Sequence, residues 1–508
     1  MTASAAAFPD YLDPALSQSA EGWTSMYDTY LPLLTYAHAS GKAGSQVIPG
    51  LAREMPKISD GGLTYTLTLR KGLKYSNGKP VKASDFPFVV ERAFRVNSGG
   101  SPFYTDIVGA EKFAQTKQGG IPGIEADDAS GKIVIHLAKP RSTFTNELAM
   151  PYVALLPAGT PDRDLSADPP PATGPYAIVK SQPGREWDYA RNPVWKTSNE
   201  VLLPEIPSGH MDKIQIKVVR NPSTQVNDVE QGRSDWMMNA PPADRYAEVK
   251  SRFEGKQFEV ADTNSTYFFW LNATAPPFSD VKVRQAVNYA VNREALERIY
   301  AGQLAGTQQI LPPGMPGYKK LDLYPYDLAK ARKLVAEADP SDRSVTVWSD
   351  NESPNNEAAE YLADALNKIG FEAKLKVINS DNYFSVVGNA TTPDVDVGYA
   401  SWFQDYPNPN DFFQPLLSEE AITPTDASNL GRFADPKLSG EIDRLAEQPL
   451  GPKQEAAYAD LDREFMEQAP WIPYGNATAA TFVSSAIDLE QVVFNPTFSQ
   501  DLTSFQFK

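Results

Sequence analysis

Hydrophobic positions in residues 280–296 repeat with the spacing of one face of an α-helix. This face is formed by Val283, Ala286, Val287, Ala290 and Val291. Asp280 stands just before the repeat, and aspartate is a favoured N-cap residue because its carboxylate accepts a backbone N–H. The pattern therefore predicts an amphipathic helix that begins after Asp280.

The same reading predicts strands and helices elsewhere in the chain. Residues 63–70 alternate between apolar and polar side chains, which indicates a half-buried strand, and residues 83–92 indicate a helix. In the second half, predicted helices alternate with predicted strands. The helices are 327–337, 357–368 and 452–466, and the strands are 266–272, 345–348 and 371–377. This alternation predicts an α/β protein.

Several phrases of the sequence also match a known family in their literal letters. Residues 278–296 closely resemble the signature helix of the family 5 extracytoplasmic solute-binding proteins, the peptide- and nickel-type receptors of bacterial ABC importers. Further family-like phrases occur in the family's order. They are Leu12-Asp13-Pro14, Pro49-Gly50-Leu51-Ala52, Asn77-Gly78-Lys79-Pro80, Thr173-Gly174-Pro175-Tyr176 and Arg191-Asn192-Pro193-Val194-Trp195.

The resemblance implies an α/β fold of two lobes, of the periplasmic-binding-protein type, with an extra subdomain and a hinge between the lobes. We expect lobe I to consist of residues 1–40 with 170–263 and 478–508. We expect the extra subdomain to comprise residues 41–169 and lobe II to comprise residues 264–477. A chain of 508 residues agrees with more than one core.

Composition excludes some classes of function. The net charge of -17 disfavours nucleic acid, because phosphate binding needs a basic surface. The chain contains no cysteine, so it has neither disulfides nor thiolate sites. No run of 18 apolar residues is present. The N-terminus does not resemble a signal peptide. If the protein is exported, its leader or lipid anchor is missing from this sequence.

The most informative local site lies at residues 399–412, where a strand ends and a proline-rich turn follows. In peptide-binding members of the family, a strand ends in a tryptophan, and an acid shortly after it pairs with the α-ammonium of the ligand. By position, Trp402 matches the tryptophan, Asp405 matches the acid, and Phe403 stands between them. The alternative is that Asp405 only caps backbone amides of a proline-rich turn.

Four other residues are candidate ligand contacts. Tyr267, Trp270 and Asn272 lie where family members run a strand beside the cleft. Because side chains alternate along a strand, some of these aromatic residues must belong to the core. Tyr27, on a helix near the start of the chain, is a core residue by default with a smaller chance of contacting ligand.

One departure from the family concerns the ligand. Dipeptide-type members carry an arginine after a second-lobe strand that clamps the peptide carboxylate. The comparable region here, residues 349–356, contains no arginine. We therefore expect a longer peptide, or an amine ligand without a carboxylate, rather than a short peptide held at both ends.

Motifs of enzymes and metal sites are missing from the sequence. There is no Gly-x-Ser-x-Gly, no P-loop and no His-Glu-x-x-His. The histidines His38, His136 and His210 are isolated in sequence, which favours structural roles over metal binding. We predict no enzyme activity, no cofactor and no metal. A hydrolase using two carboxylates remains a minor alternative.

The resemblance therefore predicts a monomeric receptor in the periplasm or at the cell surface. It would bind an oligopeptide in the cleft between its lobes and deliver it to a membrane permease of the ABC type. Within the same fold, an oligosaccharide, an opine or a metal chelate is the alternative ligand.

Overall fold

A computed structural model describes all 508 residues of the chain. The chain divides into two compact units, Met1–Ala261 with Ala479–Lys508, and Asp262–Thr478. The predicted second lobe, residues 264–477, lies inside the second unit. The extra subdomain at residues 41–169 stays a prediction.

Helices and strands are interspersed along the chain, in agreement with the predicted α/β class. The strands are β1 Thr2–Ala5, β2 Leu34–Tyr36, β3 Val47–Pro49, β4 Lys57–Ser59, β5 Thr64–Thr68, β6 Ile124–Asp127, β7 Lys132–His136, β8 Tyr176–Gln182, β9 Glu186–Arg191, β10 Lys213–Val218, β11 Trp236–Met237, β12 Phe258–Asp262, β13 Ser265–Leu271, β14 Leu304–Ala305, β15 Ser344–Asp350, β16 Glu372–Ile378, β17 Val397–Phe403, β18 Trp471–Val483, β19 Phe494–Asn495 and β20 Ser499–Gln500. The helices are α1 Ala20–Tyr27, α2 Gly41–Gly44, α3 Asp85–Arg95, α4 Ala110–Thr116, α5 Phe144–Glu147, α6 Pro222–Glu230, α7 Ala243–Phe253, α8 Val281–Ala290, α9 Arg293–Ile299, α10 Leu328–Ala338, α11 Asn355–Lys368, α12 Ser380–Val387, α13 Asn410–Leu417, α14 Pro436–Ala446 and α15 Pro452–Gln468.

The first unit contains two larger groups of strands. One has the order β11-β1-β10-β9-β8, in which β1 is parallel to both of its neighbours. The other is the antiparallel sheet β4-β5-β7-β6. β5 covers the alternating segment at residues 63–70, so that prediction is confirmed.

The second unit contains strands in the order β16-β15-β17-β13-β18. β15 is parallel to β16 and β17, whereas β13 is antiparallel to β17 and to the first part of β18. The predicted sequence of strand, helix and strand at residues 345–377 is confirmed as β15, α11 and β16. Because β16 pairs only with β15, it forms an edge of the sheet.

The predicted helix after Asp280 is confirmed as α8, and the Asp280 side chain accepts a hydrogen bond from the Lys282 amide at 2.7 Å. Val291, which was included in the predicted helix face, lies beyond the end of α8. Its backbone is extended, with φ -89° and ψ 116°. Asn292 then caps the separate helix α9 through the Glu294 amide. Val291 is still fully buried, so its apolar character reflects the core rather than helical periodicity.

Candidate ligand-binding site

A proline-rich turn joins the end of β17 to the start of α13, and one aspartate holds this turn together. The Asp411 side chain lies in the first turn of α13. Its Oδ2 accepts hydrogen bonds from the Trp402 Nε1–H at 3.2 Å and from the Asp405 amide at 2.9 Å. Asp411 therefore fixes the positions of Trp402 and Asp405 relative to each other.

The Asp405 carboxyl group occupies a weakly solvated environment. Burial raises the pKa of this carboxyl to about 6. A cation bound close to Asp405 would lower the pKa of this carboxyl again, because an opposite charge favours the ionised form. The site is therefore suited to a cationic ligand group. The capping role considered as the alternative belongs to Asp411, because it is Asp411 that accepts the turn amide.

Tyr267 and Phe403 lie close together beside this turn. β13 and β17 pair with Tyr267 opposite Ser401, which places Tyr267 and Phe403 on the same face. Their ring centroids are 5.9 Å apart in an edge-to-face arrangement. The Phe403 side chain is 50% exposed and Tyr267 is partly exposed, so both rings reach the surface of the second unit.

Trp270 and Asn272 serve the interior of the second unit. Trp270 is fully buried, and its Nε1–H donates to the Tyr399 carbonyl at 3.3 Å. Asn272 donates to the Val395 carbonyl at 2.7 Å and accepts from Thr274. We therefore assign Trp270 to the core and Asn272 to loop fixation, and neither enters the candidate site.

Tyr27 is a core residue of the first unit. Its ring stacks on His38 at 4.4 Å and on Phe498 at 4.3 Å, and its hydroxyl donates to the Tyr36 carbonyl at 3.0 Å. Only 3% of Tyr27 is exposed. The structure thus places Tyr27 in the core, which was its default assignment, and it is not carried into the candidate site.

The fold brings His38 together with two aspartates that are distant in sequence. His38 Nδ1 lies 2.7 Å from Asp501 Oδ2 and 3.8 Å from Asp28 Oδ1. The three side chains could offer a metal ion one ligand atom each, within 4.8 Å of one another. However, 2.7 Å is a hydrogen-bond distance, and two atoms on one zinc ion at about 2.0 to 2.1 Å each would lie further apart in tetrahedral geometry. We therefore interpret this group as a buried charge cluster.

The electrostatics of this charge cluster support that interpretation. Burial, and next the charge of Asp501, raise the pKa of Asp28. Burial alone would also raise the pKa of Asp501, but His38 lowers it below the usual range. Sequence reasoning missed the cluster because 463 residues separate His38 from Asp501.

A second acidic position in the second unit was also missed. Asp350 lies at the end of β15, and its carboxylate accepts hydrogen bonds from the Asn355 side chain. Residues 349–356 had attracted notice only for lacking arginine. The available signal was an acid just after a predicted strand, in a segment where strands and helices alternate, because ligands commonly bind at the carboxyl ends of strands in α/β sheets.

Comparison with known proteins identifies the family to which the chain belongs. The model of the bacterial extracellular solute-binding proteins, family 5, matches residues 46–424, and the chain belongs to this family. No helix is long and apolar enough to cross a membrane.

Relatives with assigned ligands cover most of the chain. The Heme-binding protein A of Haemophilus influenzae is 28% identical over 470 residues, which are 86% of this chain and 80% of that protein. The Dipeptide-binding protein of Escherichia coli K12 is 28% identical over 406 residues, covering 74% of this chain and 71% of that protein.

Solved structures share the fold over the full length. The clavulanic acid biosynthesis oligopeptide binding protein 2 matches with a TM-score of 0.87 at 23% identity, covering 100% of this chain and 95% of the other. A Haemophilus influenzae protein crystallised with the peptide RPPGFSPFR matches with a TM-score of 0.73 at 20% identity, covering 100% and 98%. The predicted two-lobed periplasmic-binding fold is thereby confirmed.

Proposed function

We propose that this protein is the substrate-binding receptor of an ABC importer and that its ligand is an oligopeptide. Family membership supports the receptor role. Several relatives are named for peptides, including the Dipeptide-binding protein of Escherichia coli and a probable di/tripeptide-binding protein of Pseudomonas aeruginosa.

The observation that carries the peptide assignment is the environment of Asp405. Its carboxylate is weakly solvated, its backbone amide donates to Asp411, and a tryptophan lies three residues before it. We assign to Asp405 the role of pairing with the α-ammonium of the peptide, because a desolvated carboxylate gains most from a charged partner. In this proposal Trp402 and Phe403 cover apolar surface of the ligand next to that ammonium.

The first experiment is native mass spectrometry of the purified protein, followed by calorimetry with peptides of two to six residues. We expect a co-purified peptide or saturable binding of the added peptides. Saturable binding of sugars, opines or metal chelates together with no binding of any peptide would reject the peptide assignment and retain the receptor class.

The same samples test the minor alternative of hydrolysis. A receptor returns its ligand unchanged, so chromatography after long incubation should recover intact peptide. Peptide fragments that accumulate with time and with protein concentration would contradict the proposal of a binding protein without catalytic activity.

We also propose that the protein acts outside the cytoplasm as a monomer and delivers its ligand to a membrane permease. Light scattering during size-exclusion chromatography tests the monomer, for which the expected mass is 55.8 kDa. Transport by membrane vesicles that contain the permease, with and without the protein, tests the delivery step.

A further inference from the structure

A nearly buried carboxylate in the second unit receives hydrogen bonds only from amide groups. Asp350 is 6% exposed. The Glu352 backbone amide donates to it at 3.1 Å, and the Asn355 side-chain amide donates at 3.1 and 3.3 Å. Burial raises the pKa of Asp350, and the negative charge of Glu352 acts in the same direction. The local surroundings of Asp350 thus provide hydrogen bonds without a positive charge.

Five aromatic rings, which we call the aromatic cluster, lie beside this carboxylate. The members of the aromatic cluster are Tyr267, Tyr300, Tyr399, Phe403 and Tyr474. The Tyr267 ring is central, with centroid distances of 5.6 Å to Tyr300, 6.3 Å to Tyr399, 5.9 Å to Phe403 and 6.2 Å to Tyr474. Such a concentration of ring faces attracts cations.

Asn355 connects Asp350 to the aromatic cluster. Its Oδ1 accepts a hydrogen bond from the Tyr300 hydroxyl at 3.1 Å. The Tyr300 and Tyr474 hydroxyls are 3.0 Å apart. Burial raises the pKa of both phenols, so these groups are neutral at physiological pH and do not compensate the Asp350 charge.

An orphaned polar atom lies beside one member of the aromatic cluster, Tyr399. Ser349 is fully buried, and its Oγ has no hydrogen-bond partner. The register of β15 with β17, in which Val347 pairs with Val397, places Ser349 beside Tyr399. The half-exposed Phe403 ring marks the side of the aromatic cluster that faces solvent. A buried hydroxyl without a hydrogen-bond partner beside Tyr399 is a group that a ligand can satisfy.

We propose that Asp350 and the aromatic cluster form a second subsite that takes a cationic side chain of the ligand, an ammonium or guanidinium group. This inference rests on the proposed peptide-binding function. Asp405 takes the α-ammonium, whereas the Asp350 subsite selects a basic residue elsewhere in the peptide. The class of ligand is then basic oligopeptides.

The test uses tetrapeptides of alanine with one lysine at each of the four positions, and the same peptides with the lysine Nζ acetylated. Acetylation removes the charge and preserves most of the length of the side chain. Calorimetry on the full chain gives a ratio of affinities, lysine over acetyl-lysine, for each position. We expect at least one position at which this ratio reaches about tenfold.

Four variants test whether that ratio comes from the subsite. Asp350→Asn should bring the ratio to within about threefold, and Phe403→Ala, which removes an exposed ring and leaves the core intact, should lower it by several-fold. Glu360→Gln is the matched control, since it removes an exposed carboxylate of α11 and should leave the ratio unchanged. Asp405→Asn should weaken every peptide with a free N-terminus without changing the ratio.

The outcomes separate the subsite from the proposed function. Binding of all peptides with ratios near one, or a high ratio that survives both Asp350→Asn and Phe403→Ala, overturns the subsite and retains peptide binding. Failure of every peptide to bind overturns both proposals. If Asp350→Asn does not fold, the wild-type ratio and its loss in Phe403→Ala decide the question.

Discussion

The buried carboxylates of the two units have different kinds of partner. In the first unit, five of the six buried acids lie within 4 Å of a basic side chain. The pairs are Asp13 with Arg92 at 2.5 Å, Asp28 with His38 at 3.8 Å, Asp501 with His38 at 2.7 Å, Glu147 with Arg141 at 2.8 Å, and Asp188 with Lys213 at 2.8 Å. The sixth, Asp85, accepts from the Tyr75 hydroxyl and two backbone amides. In the second unit, the buried acids are Asp350, Asp411 and Asp462. Asp350 and Asp462 accept hydrogen bonds from amides alone, and Asp411 accepts from the Trp402 indole and the Asp405 amide.

This difference separates charges used for folding from charges available to a ligand. A buried carboxylate beside a basic side chain already has a partner within the protein, so its contribution belongs to stability. Asp462 accepts three amide hydrogen bonds and holds the chain at Ile310 and Leu311, which is also a structural role. Asp350 and Asp405 instead lie beside aromatic rings at strand ends. These two are the acids for which we propose a ligand as the partner.

The largest expected effect comes from removing Asp405. Loss of one partner of a buried ion pair costs about 3 to 5 kcal/mol, so Asp405→Ala should weaken binding of a tripeptide by roughly two to three orders of magnitude. Calorimetry measures this loss. Glu420→Ala, which removes an exposed carboxylate of the same unit, is the control. An affinity within threefold of wild type would remove Asp405 from the site.

The corresponding change in the first unit should affect stability and not binding. Arg92 is fully buried and donates two hydrogen bonds to Asp13. Arg92→Met leaves the Asp13 charge buried without its partner, which should reduce the unfolding free energy by about 3 to 5 kcal/mol. Denaturant titration checks this, and the double variant with Asp13→Asn should recover part of the loss. Unchanged stability together with weaker peptide binding would break the distinction between the units.

The pH dependence of binding provides a smaller effect with a defined sign. The Asp405 pKa is raised from its ordinary value to about 6, so this carboxyl becomes protonated as the pH falls through 6 and loses its attraction for a cation. Affinity at pH 5 should therefore be about tenfold lower than at pH 7. A peptide with an acetylated N-terminus should lack this dependence. Affinity that rises toward pH 5 would contradict the pairing.

The same shift has the opposite sign for the stability of the unliganded protein. A carboxyl group whose folded pKa lies above its unfolded pKa binds its proton more tightly in the folded state. The contribution of Asp405 to the unfolding free energy therefore increases as the pH falls from about 6 to 4. Comparison of wild type with Asp405→Asn by denaturant titration at several pH values isolates this contribution.

The smallest expected effect comes from removing Trp402, which we propose covers apolar surface of the ligand. Trp402 is partly buried, and its indole donates to Asp411. Trp402→Ala should weaken peptide binding by about three- to tenfold, while the melting temperature changes little. Trp402→Phe retains an aromatic face and loses the N–H, so its affinity for peptide should lie between those of wild type and Trp402→Ala. A large drop in melting temperature with unchanged affinity would instead assign Trp402 to the core.

Local patterns predicted much of the fold. The alternation at residues 63–70 and the capped repeat after Asp280 each depend on residues that are neighbours in sequence, and β5 and α8 form there. The end of α8 was not predictable from periodicity, because Val291 is apolar for tertiary reasons and the cap at Asn292 restarts the helix.

The candidate site was predictable only where the sequence carries it in one stretch. Trp402, Phe403 and Asp405 stand in a single turn, so a family phrase was enough to find them. Asp350 and the aromatic cluster come from separate strands and helices that only the folded chain brings together. Trp270 could not be distinguished from Tyr267 by alternation alone, since the pattern does not reveal which face of β13 is covered.

The free edge of the sheet at β16 bears on how this protein behaves when it is crowded. An unpaired strand edge is a template on which a second chain can add by backbone hydrogen bonds, and β16 exposes the apolar side chains Leu375 and Val377. Lys374 and Lys376 alternate with them along the strand, and the Lys376 ammonium lies 3.8 Å from the centroid of the Trp348 ring. Two copies that meet edge to edge would bring these ammonium groups close together. Their repulsion disfavours aggregation through this edge in concentrated solution.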